Sequence, residues 1–279
     1  MTSYDSLVSL ALSVSYRGRT PVLSNLFLQV RAGEILGVAG RSGSGKSTLA
    51  LTLMGLVAQT GGMAEGTALF QGGDLLKVDE RKLRQIRGRE IALVPQNATA
   101  ALNPGLTIGR QMLAAWNAHA ASSYVEAHDR IMQAFAAAGL VDREILRRRP
   151  AQLSPEQAVR VLIAMAVLHH PSLLIVDDLG GALDNISQAE IFALLARLNR
   201  DHGVSILYLS RDLLSLASWC DRAAILHDGQ IVECGSTSQI LHHPVHPYTQ
   251  RLVHALPERP RALPAATSPR SGGDTLFIH

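Results

Sequence analysis

Cysteine is scarce: Cys220 and Cys234 are the only two in 279 residues. That excludes a disulfide framework and makes a reducing cytosol the default compartment. Aromatic side chains are also few, at 4% of the chain. Basic clusters occur at Arg81, Lys82, Arg84, Arg87 and Arg89, and at Arg143, Arg147, Arg148 and Arg149. No aromatics are interleaved with them, so they read as solvated helix faces and not as a nucleic-acid surface. Neither sign of charge is in large excess, the formal net charge being +3. No apolar run approaches the roughly 20 residues that span a bilayer. The longest candidate, Val159 to Leu168, reads as a buried helix. Met1-Thr2-Ser3-Tyr4-Asp5 lacks the basic-then-apolar order of a secretion signal. What remains is an ordinary globular chain, 47% hydrophobic, long enough for one large core and a smaller subdomain.

The stretch Gly40-Arg41-Ser42-Gly43-Ser44-Gly45-Lys46-Ser47, followed by Thr48, carries the chemistry. It fits G-x-x-x-x-G-K-[ST], the phosphate-binding loop, at every fixed position. Its flanks fit too. Glu34 to Ala39 is a short apolar run, as a buried parallel strand would be, and Thr48 to Met54 reads as a buried helix. Glycines let the backbone wrap a polyphosphate closely with several N–H groups turned inward. The helix N-terminus adds partial positive charge, Lys46 a whole one, and the Ser47 hydroxyl suits Mg²⁺. A Gly/Ser turn that merely contains a lysine would not carry both flanks.

Around this loop the chain alternates textures. Val8, Leu10, Leu12, Val14 and Tyr16 alternate with small residues, and Leu26, Leu28 and Val30 repeat the pattern. Both predict half-exposed antiparallel strands. Thr67-Ala68-Leu69-Phe70 reads as a short strand bounded by glycines, and Glu90 to Gln96 as a strand with a polar tip. From Asn97 to Leu168 the chain is helix-rich, with Ala-heavy pieces around Gln111–His119 and Tyr124–Ala138. Sheet texture returns at Leu173 to Asp178 and Ser205 to Ser210. Ala223–Leu226 and Gln230–Glu233 flank Asp228-Gly229, a hairpin signal. Ser236 to His242 reads as a short helix. There is no internal repeat. The composition beyond Leu256 predicts disorder. Asp177, after four apolar residues, would sit at the carboxyl end of a parallel strand, where an acid holds Mg²⁺ beside the phosphates.

In this order the motifs resemble those of the ATP-binding cassette ATPases, the motor subunits of ABC transporters. The resemblance runs from about Val8 to Leu256. It implies an α/β fold: a P-loop NTPase core, its mixed sheet preceded by antiparallel N-terminal strands, with an inserted helical subdomain. Residues 1–256 would form the nucleotide-binding domain, with 97–168 inserted, and 257–279 a disordered tail. It further implies that Tyr16 stacks on adenine and that Gln96 reaches Mg²⁺ and a membrane subunit. Ser47, Gln96 and Asp177 would surround the metal. Leu153-Ser154 would begin the signature segment, Ser154 meeting nucleotide on the opposite subunit. Ala182-Leu183-Asp184 would be a dimer-contact loop. Taken alone, Tyr16 is equally a strand-end aromatic and Gln96 a polar strand terminus. The segment His246-Pro247-Tyr248-Thr249-Gln250, then Leu252 and Leu256-Pro257, looks like the branch serving oligopeptide, dipeptide and nickel importers, as does the run from Asn97 to Leu102-Asn103-Pro104. That tail motif accounts for His242, His243 and His246 better than a metal site does, because prolines interrupt any ligand spacing. With no cysteine in the tail, no iron–sulfur cluster is expected.

Three positions depart from the family pattern. Asp178 stands where the family has the glutamate that polarises the attacking water, and is one methylene shorter. Arg211 stands where it has a switch histidine. An arginine pairs with a γ-phosphate but neither accepts a hydrogen bond nor shuttles a proton at neutral pH. The signature reads Leu153-Ser154-Pro155-Glu156-Gln157, without its two glycines. Ser154 as N-cap, Pro155 at the first position and Gln157 closing a capping box predict a sound helix. Pro155 nevertheless removes an N–H donor, and Glu156 is expected to set a negative charge toward a polyanion, unless it points to solvent.

The resemblance therefore implies an ATP-binding importer subunit for peptides, nickel or a metal chelate. It would work with a second cassette beneath two membrane permease subunits at the cytoplasmic face of the membrane, fed indirectly by a substrate-binding protein. No nucleic acid is expected. Its own hydrolytic site, with Asp178 and Arg211, would be impaired. The alternative is a nucleotide-holding regulatory or non-transport subunit that hydrolyses little.

Overall fold

The alternation from Val8 to Val14 forms β1 (Ser6–Tyr16), whose apolar set is buried while its serines are half-exposed. The computed structural model describes residues 6–17, 20–179 and 183–256. β2 (Leu23–Arg31) pairs antiparallel with β1, Leu10 opposite Leu28. β3 (Ile35–Ala39) is buried along its whole length and feeds the phosphate loop, which opens α1 (Lys46–Leu53).

The strand expected over Thr67–Phe70 is longer: β4 runs Gly62–Phe70 and pairs with β1 throughout. Glycine inside a strand usually marks a break or a close approach. Here it is the second. Gly66 has φ +112, and a Cβ there would collide with the Ala11 carbonyl oxygen. β5 (Gly73–Asp74) completes a four-stranded sheet in the order β2-β1-β4-β5.

α2 (Glu80–Ile86) is N-capped by Asp79 and leads to β6 (Ile91–Val94). Residues 97–168 hold α3 (Ala98–Ala101), α4 (Ile108–Asn117), α5 (Tyr124–Ala137) and α6 (Pro155–Val167), with no strand between them. The run after Asn97 is pinned locally. Asn97 caps α3, and Gln111 of α4 clamps the backbone of Asn103 from both sides. β7 (Leu173–Asp177), α7 (Asn185–His202), β8 (Ser205–Ser210) and α8 (Leu213–Ala217) follow. β9 (Arg222–His227) and β10 (Gln230–Ser236) form the expected hairpin, its two-residue turn having positive φ at Asp228 and Gly229. The chain then forms α9 (Thr237–His242) and α10 (Pro247–His254).

The second sheet has the order β10-β9-β3-β8-β7-β6, parallel except for the β10 edge. Its period of two splits the core. Leu36, Val38, Leu207, Leu209, Leu173 and Ile175 face the antiparallel sheet and α1. Ile206, Tyr208, Leu174 and Val176 face the helices, in one continuous cluster with Ile108, Met112, Phe135 and Ile163 of the inserted segment. Burial on both faces explains why these strands read as unbroken apolar runs. Because β8 lies between β3 and β7, the phosphate loop, Asp177 and the residues after Ser210 emerge side by side at one edge of the sheet.

Candidate functional site: a phosphate loop and its carboxylates

The loop is held to the sheet by its first glycine. Gly40 donates its N–H to the Ser210 carbonyl at 3.1 Å, and a Cβ on it would lie 2.6 Å from the Leu226 carbonyl oxygen. Gly43 and Gly45 have φ +80 and +109, a left-handed backbone that glycine adopts without strain. These turns deliver Lys46 and Ser47 to the first turn of α1. A cavity of about 200 Å³ opens there. Val22, Ser42, Gly43, Gly45, Lys46, Ser47, Thr48, Gln96, Asp177, Asp178 and Arg211 line it, so most residues expected at the nucleotide converge on one space.

Four other candidates lie elsewhere. Arg41 and Ser44, on the outer side of the loop, line a neighbouring cavity with His227, Asp228 and Tyr248. Tyr16, half-buried at the end of β1, packs on Gly62 of β4 and does not line the phosphate cavity. Ser154 is exposed at the start of α6, also away from this cavity.

Inside the cavity Lys46 and the two acids are held differently. The Lys46 ammonium donates to the loop's own carbonyls, Gly40 O at 2.6 Å and Arg41 O at 2.9 Å. Burial lowers its pKa, against the pull of Asp178 and Asp177. Ser47 Oγ donates to Asp177 Oδ2 at 3.0 Å. Burial nevertheless pushes the Asp177 carboxyl above the usual carboxylate range, the Ser47 bond and Lys46 opposing it. A serine hydroxyl bonded to a half-buried acid that lacks a full counter-charge is an oxygen donor set fitted to a hard divalent cation. Mg²⁺ would be held by Ser47 and Asp177, with Gln96 at the rim; it would neutralise phosphate charge. The inward loop, the helix N-terminus and Lys46 fit the phosphates of ATP.

Two of the three positions expected to depart from the family pattern, Asp178 and Arg211, meet in this cavity. Arg211 Nε donates to Asp178 Oδ2 at 2.5 Å. Asp178 is 5% exposed, whereas half of the Arg211 side chain reaches solvent. A buried carboxylate demands a partner, and the arginine supplies it from outside. Asp178 has φ +37, a left-handed conformation that Asp tolerates, and its N–H is fixed on the Leu209 carbonyl at 2.8 Å. Nothing in the sequence showed this pair. It follows from the register, in which Asp177 lies opposite Leu209 on the neighbouring parallel strand.

At α6 the expected cap is present in full. Ser154 Oγ accepts the Gln157 N–H and Gln157 Oε1 accepts the Ser154 N–H, both at 3.1 Å, with Pro155 in the first turn. The expectation for Glu156 needs correction. Its carboxylate accepts from Arg160 Nε at 2.6 Å, one turn along α6, and Arg160 also reaches Glu190 at 3.0 Å. The charge is neutralised within the chain and is neither turned bare toward a polyanion nor left to solvent. Asp184 spends its carboxylate capping α7 on Ile186 and Ser187, while Ala182 lies outside the described residues.

α10 was missed in the sequence, although its signals were there: Pro247 in the first turn, and His246, whose Nδ1 accepts the Tyr248 N–H at 3.2 Å. His246 thus serves as a helix cap. The expected disordered tail, 257–279, lies outside the described residues.

Comparison with known proteins agrees with this geometry. Residues 23–179 match the family described as ABC transporter, and residues 232–271 match the oligopeptide/dipeptide transporter C-terminal region. The dipeptide transport ATP-binding protein DppD of Haemophilus influenzae is 36% identical over 243 residues, covering 86% of this chain and 74% of the relative. The oligopeptide transport ATP-binding protein OppD of Salmonella typhimurium is 36% identical over 241 residues, covering 86% and 72%. Among solved structures, the dimeric post-hydrolysis state of the ATP-binding cassette MJ0796, bound to ADP and Pi, superposes with a TM-score of 0.72 at 26% identity, covering 82% of this chain and 98% of that one. CbiO1 of Clostridium perfringens shares the fold, with a TM-score of 0.74 at 22% identity over 86% and 92% of the two chains. No helix among the described residues is long and apolar enough to cross a membrane. The chain belongs to the ABC transporter ATPase family and carries the C-terminal region of its oligopeptide and dipeptide transporters.

Proposed function

We propose that this chain is the ATP-binding subunit of an importer for peptides, binding MgATP in the cavity beneath the phosphate loop. The observation that carries the reading is the Ser47–Asp177 hydrogen bond at 3.0 Å beside Lys46. It unites the hydroxyl and the cation that open α1 with the acid that ends β7, in the arrangement a magnesium-bound polyphosphate needs. Lys46 leaves its loop carbonyls for the phosphates, Thr48 and the loop N–H groups close around them, and Tyr16 stacks on the base from the end of β1.

The printed names of the relatives support a peptide cargo; nickel or a metal chelate is a neighbouring cargo within the same branch. A second cassette completes the pair, Ser154 of this chain meeting the nucleotide on the partner's loop. Two permease subunits anchor the pair at the cytoplasmic face of the membrane, and a substrate-binding protein delivers cargo to them. Asp178 is the group left to position water. Its short side chain, already engaged by Arg211, makes hydrolysis at this chain's own loop slow. A second reading, a nucleotide-holding subunit with little turnover, is favoured by that same Asp178–Arg211 bond.

The test is MgATP binding and steady-state hydrolysis on the purified chain, alone and with its partner cassette, beside Lys46→Ala. Tight binding that Lys46→Ala abolishes is expected, with slow turnover by the chain alone. Brisk turnover alone would remove the impaired-site reading, and no binding at all would remove the assignment.

A further inference from the structure

A second cavity, of about 250 Å³, lies between α5 and the ends of α6 and α7, and shares no lining residue with the phosphate cavity. It opens at the other end of the sheet. Pro171 precedes β7 and Val204 precedes β8, whereas Asp177 closes β7 and the phosphate loop follows β3. The length of β7 alone therefore sets roughly 20 Å between Pro171 and Asp177.

Small residues make the space. Arg130, Gln133, Ala134 and Ala137 share one face of α5, at the spacing of helix neighbours. The two alanines leave room above Val167, Leu168 and Leu198, which are all buried. Backbone turns deliver the polar groups at the mouth. After α6 the chain enters β7 through His170, whose φ of +54 is a left-handed conformation that histidine adopts more readily than most residues. α7 ends at Gly203, with φ +67, directly after His202. Leu173 of β7 lies opposite Ser205 of β8, and each histidine stands three residues before its member of that pair. The two rings therefore come abreast, their centroids 6.2 Å apart.

The mouth is cationic and has no counter-charge. The lining contains neither aspartate nor glutamate. Arg130 makes no ion pair among the described residues, and its guanidinium has only a long hydrogen bond, from Nη1 to Gln133 Oε1 at 3.4 Å. Partial burial, Arg130 and His202 hold His170 below the usual histidine range, so at neutral pH its ring offers a donor and not a second charge. One guanidinium with apolar walls behind it suits an anion of single charge on an apolar body. The planar fork takes a carboxylate with two hydrogen bonds, the rings add donors, and the body covers Ala134, Ala137 and Leu198. Inorganic phosphate and nucleotides carry more charge than one arginine answers and leave the apolar walls unused.

We propose that this cavity binds a small monocarboxylate with an aliphatic or aromatic body, Arg130 and the two histidines holding the carboxylate at the mouth. The occupant touches α5 of the inserted segment and α7 of the core together, and so ties them to each other far from the phosphate loop. The proposal goes beyond the nucleotide-binding reading and does not depend on it.

Octanoate is the probe, titrated into the full chain by calorimetry, with thermal melts alongside. One saturable site is expected, with Kd about 0.1–1 mM. At about ten times that concentration the melting temperature should rise by about 3 °C. Acetate has the head without the body and octanol the body without the head; each should bind at least about tenfold more weakly. Arg130→Gln should weaken octanoate about fivefold to tenfold, and His202→Gln a few-fold. Both side chains are exposed, so these variants should melt like the unmodified chain when no octanoate is present. Ala137→Leu fills the space and should abolish binding. Octanol binding as tightly as octanoate, or undiminished affinity in Arg130→Gln, would overturn the carboxylate recognition. No saturable binding up to about 10 mM, or competitive displacement by MgATP, would overturn the site itself. Octanoate binding by a chain that fails to bind MgATP would support this proposal while removing the nucleotide reading, so the two fail separately.

Discussion

The phosphate cavity and the start of α6 are the two places where the sequence was expected to depart from the family pattern, and they are built differently. At the cavity, Asp178 and Arg211 are each other's partners across 33 residues of sequence. At α6, Glu156 is answered by Arg160 one turn away on the same helix. In both places an arginine neutralises a carboxylate. On the proposed reading the cavity pair stands where water is positioned, so it would alter what the site can do. The α6 pair lies behind a complete capping box and leaves the helix sound; there the remaining change is the N–H that Pro155 lacks. The first departure is chemical, the second a matter of one donor and some screening.

The largest expected effect follows from the chemical departure. Asp178→Glu with Arg211→His removes the ion pair, restores the longer carboxylate and supplies a neutral imidazole. Steady-state ATP turnover of the chain should rise by about tenfold to a hundredfold, the scale on which a misplacement near one ångström acts. Each single substitution should recover less, because Arg211 would still engage a glutamate and a histidine would still face the short aspartate. If the double variant is no faster than the unmodified chain, the two regions do not differ as argued, and the slow step lies at α6.

A smaller effect tests the other side. Arg160→Ala leaves Glu156 and Glu190 without their shared cation. ATP-driven association of the chain with its partner cassette should weaken by about threefold to fivefold, the range of a partly exposed ion pair. Adding Glu156→Gln should restore it. Light scattering with and without ATP reads both. An unchanged association in Arg160→Ala would mean that Glu156 does not face the partner, leaving Pro155 as the sole consequence at α6.

Sequence patterns made the β3–loop–α1 unit, the antiparallel strands, the β9–β10 hairpin and the α6 cap legible, because each is encoded within about ten residues. The start of β4 was not legible, since Gly66 reads as a break until Ala11 is seen crossing beside it. The Glu156–Arg160 pair has the spacing of helix neighbours and was visible in principle. Asp178–Arg211 was not, for it depends on β7 and β8 being adjacent and parallel with Asp177 opposite Leu209. Local spacing thus identified the residues of the site, whereas only the sheet register showed which of them touch.

The same contrast predicts stability changes of opposite sign. Asp177 is a half-buried carboxylate whose pKa burial has raised. A group raised in the folded state contributes stability below its unfolded pKa, and that contribution is lost as pH rises through the folded value. At neutral pH the nucleotide-free chain therefore bears a penalty for keeping Asp177 ionised. Asp177→Asn should raise the melting temperature by about 2 °C near pH 7. That gain should shrink as pH falls toward the unfolded carboxylate range, where both forms are neutral. Ser154→Ala, at the satisfied end of α6, should lower the melting temperature by about 2–3 °C, since losing a helix cap costs about 1 kcal/mol. That loss should persist across the same pH range, because no titrating group enters the capping box. Thermal melts of the two variants at pH 4.5 and pH 7 separate the cases: an acid held ready for a cation at a cost in stability, and a helix start whose hydrogen bonds are complete before any partner arrives.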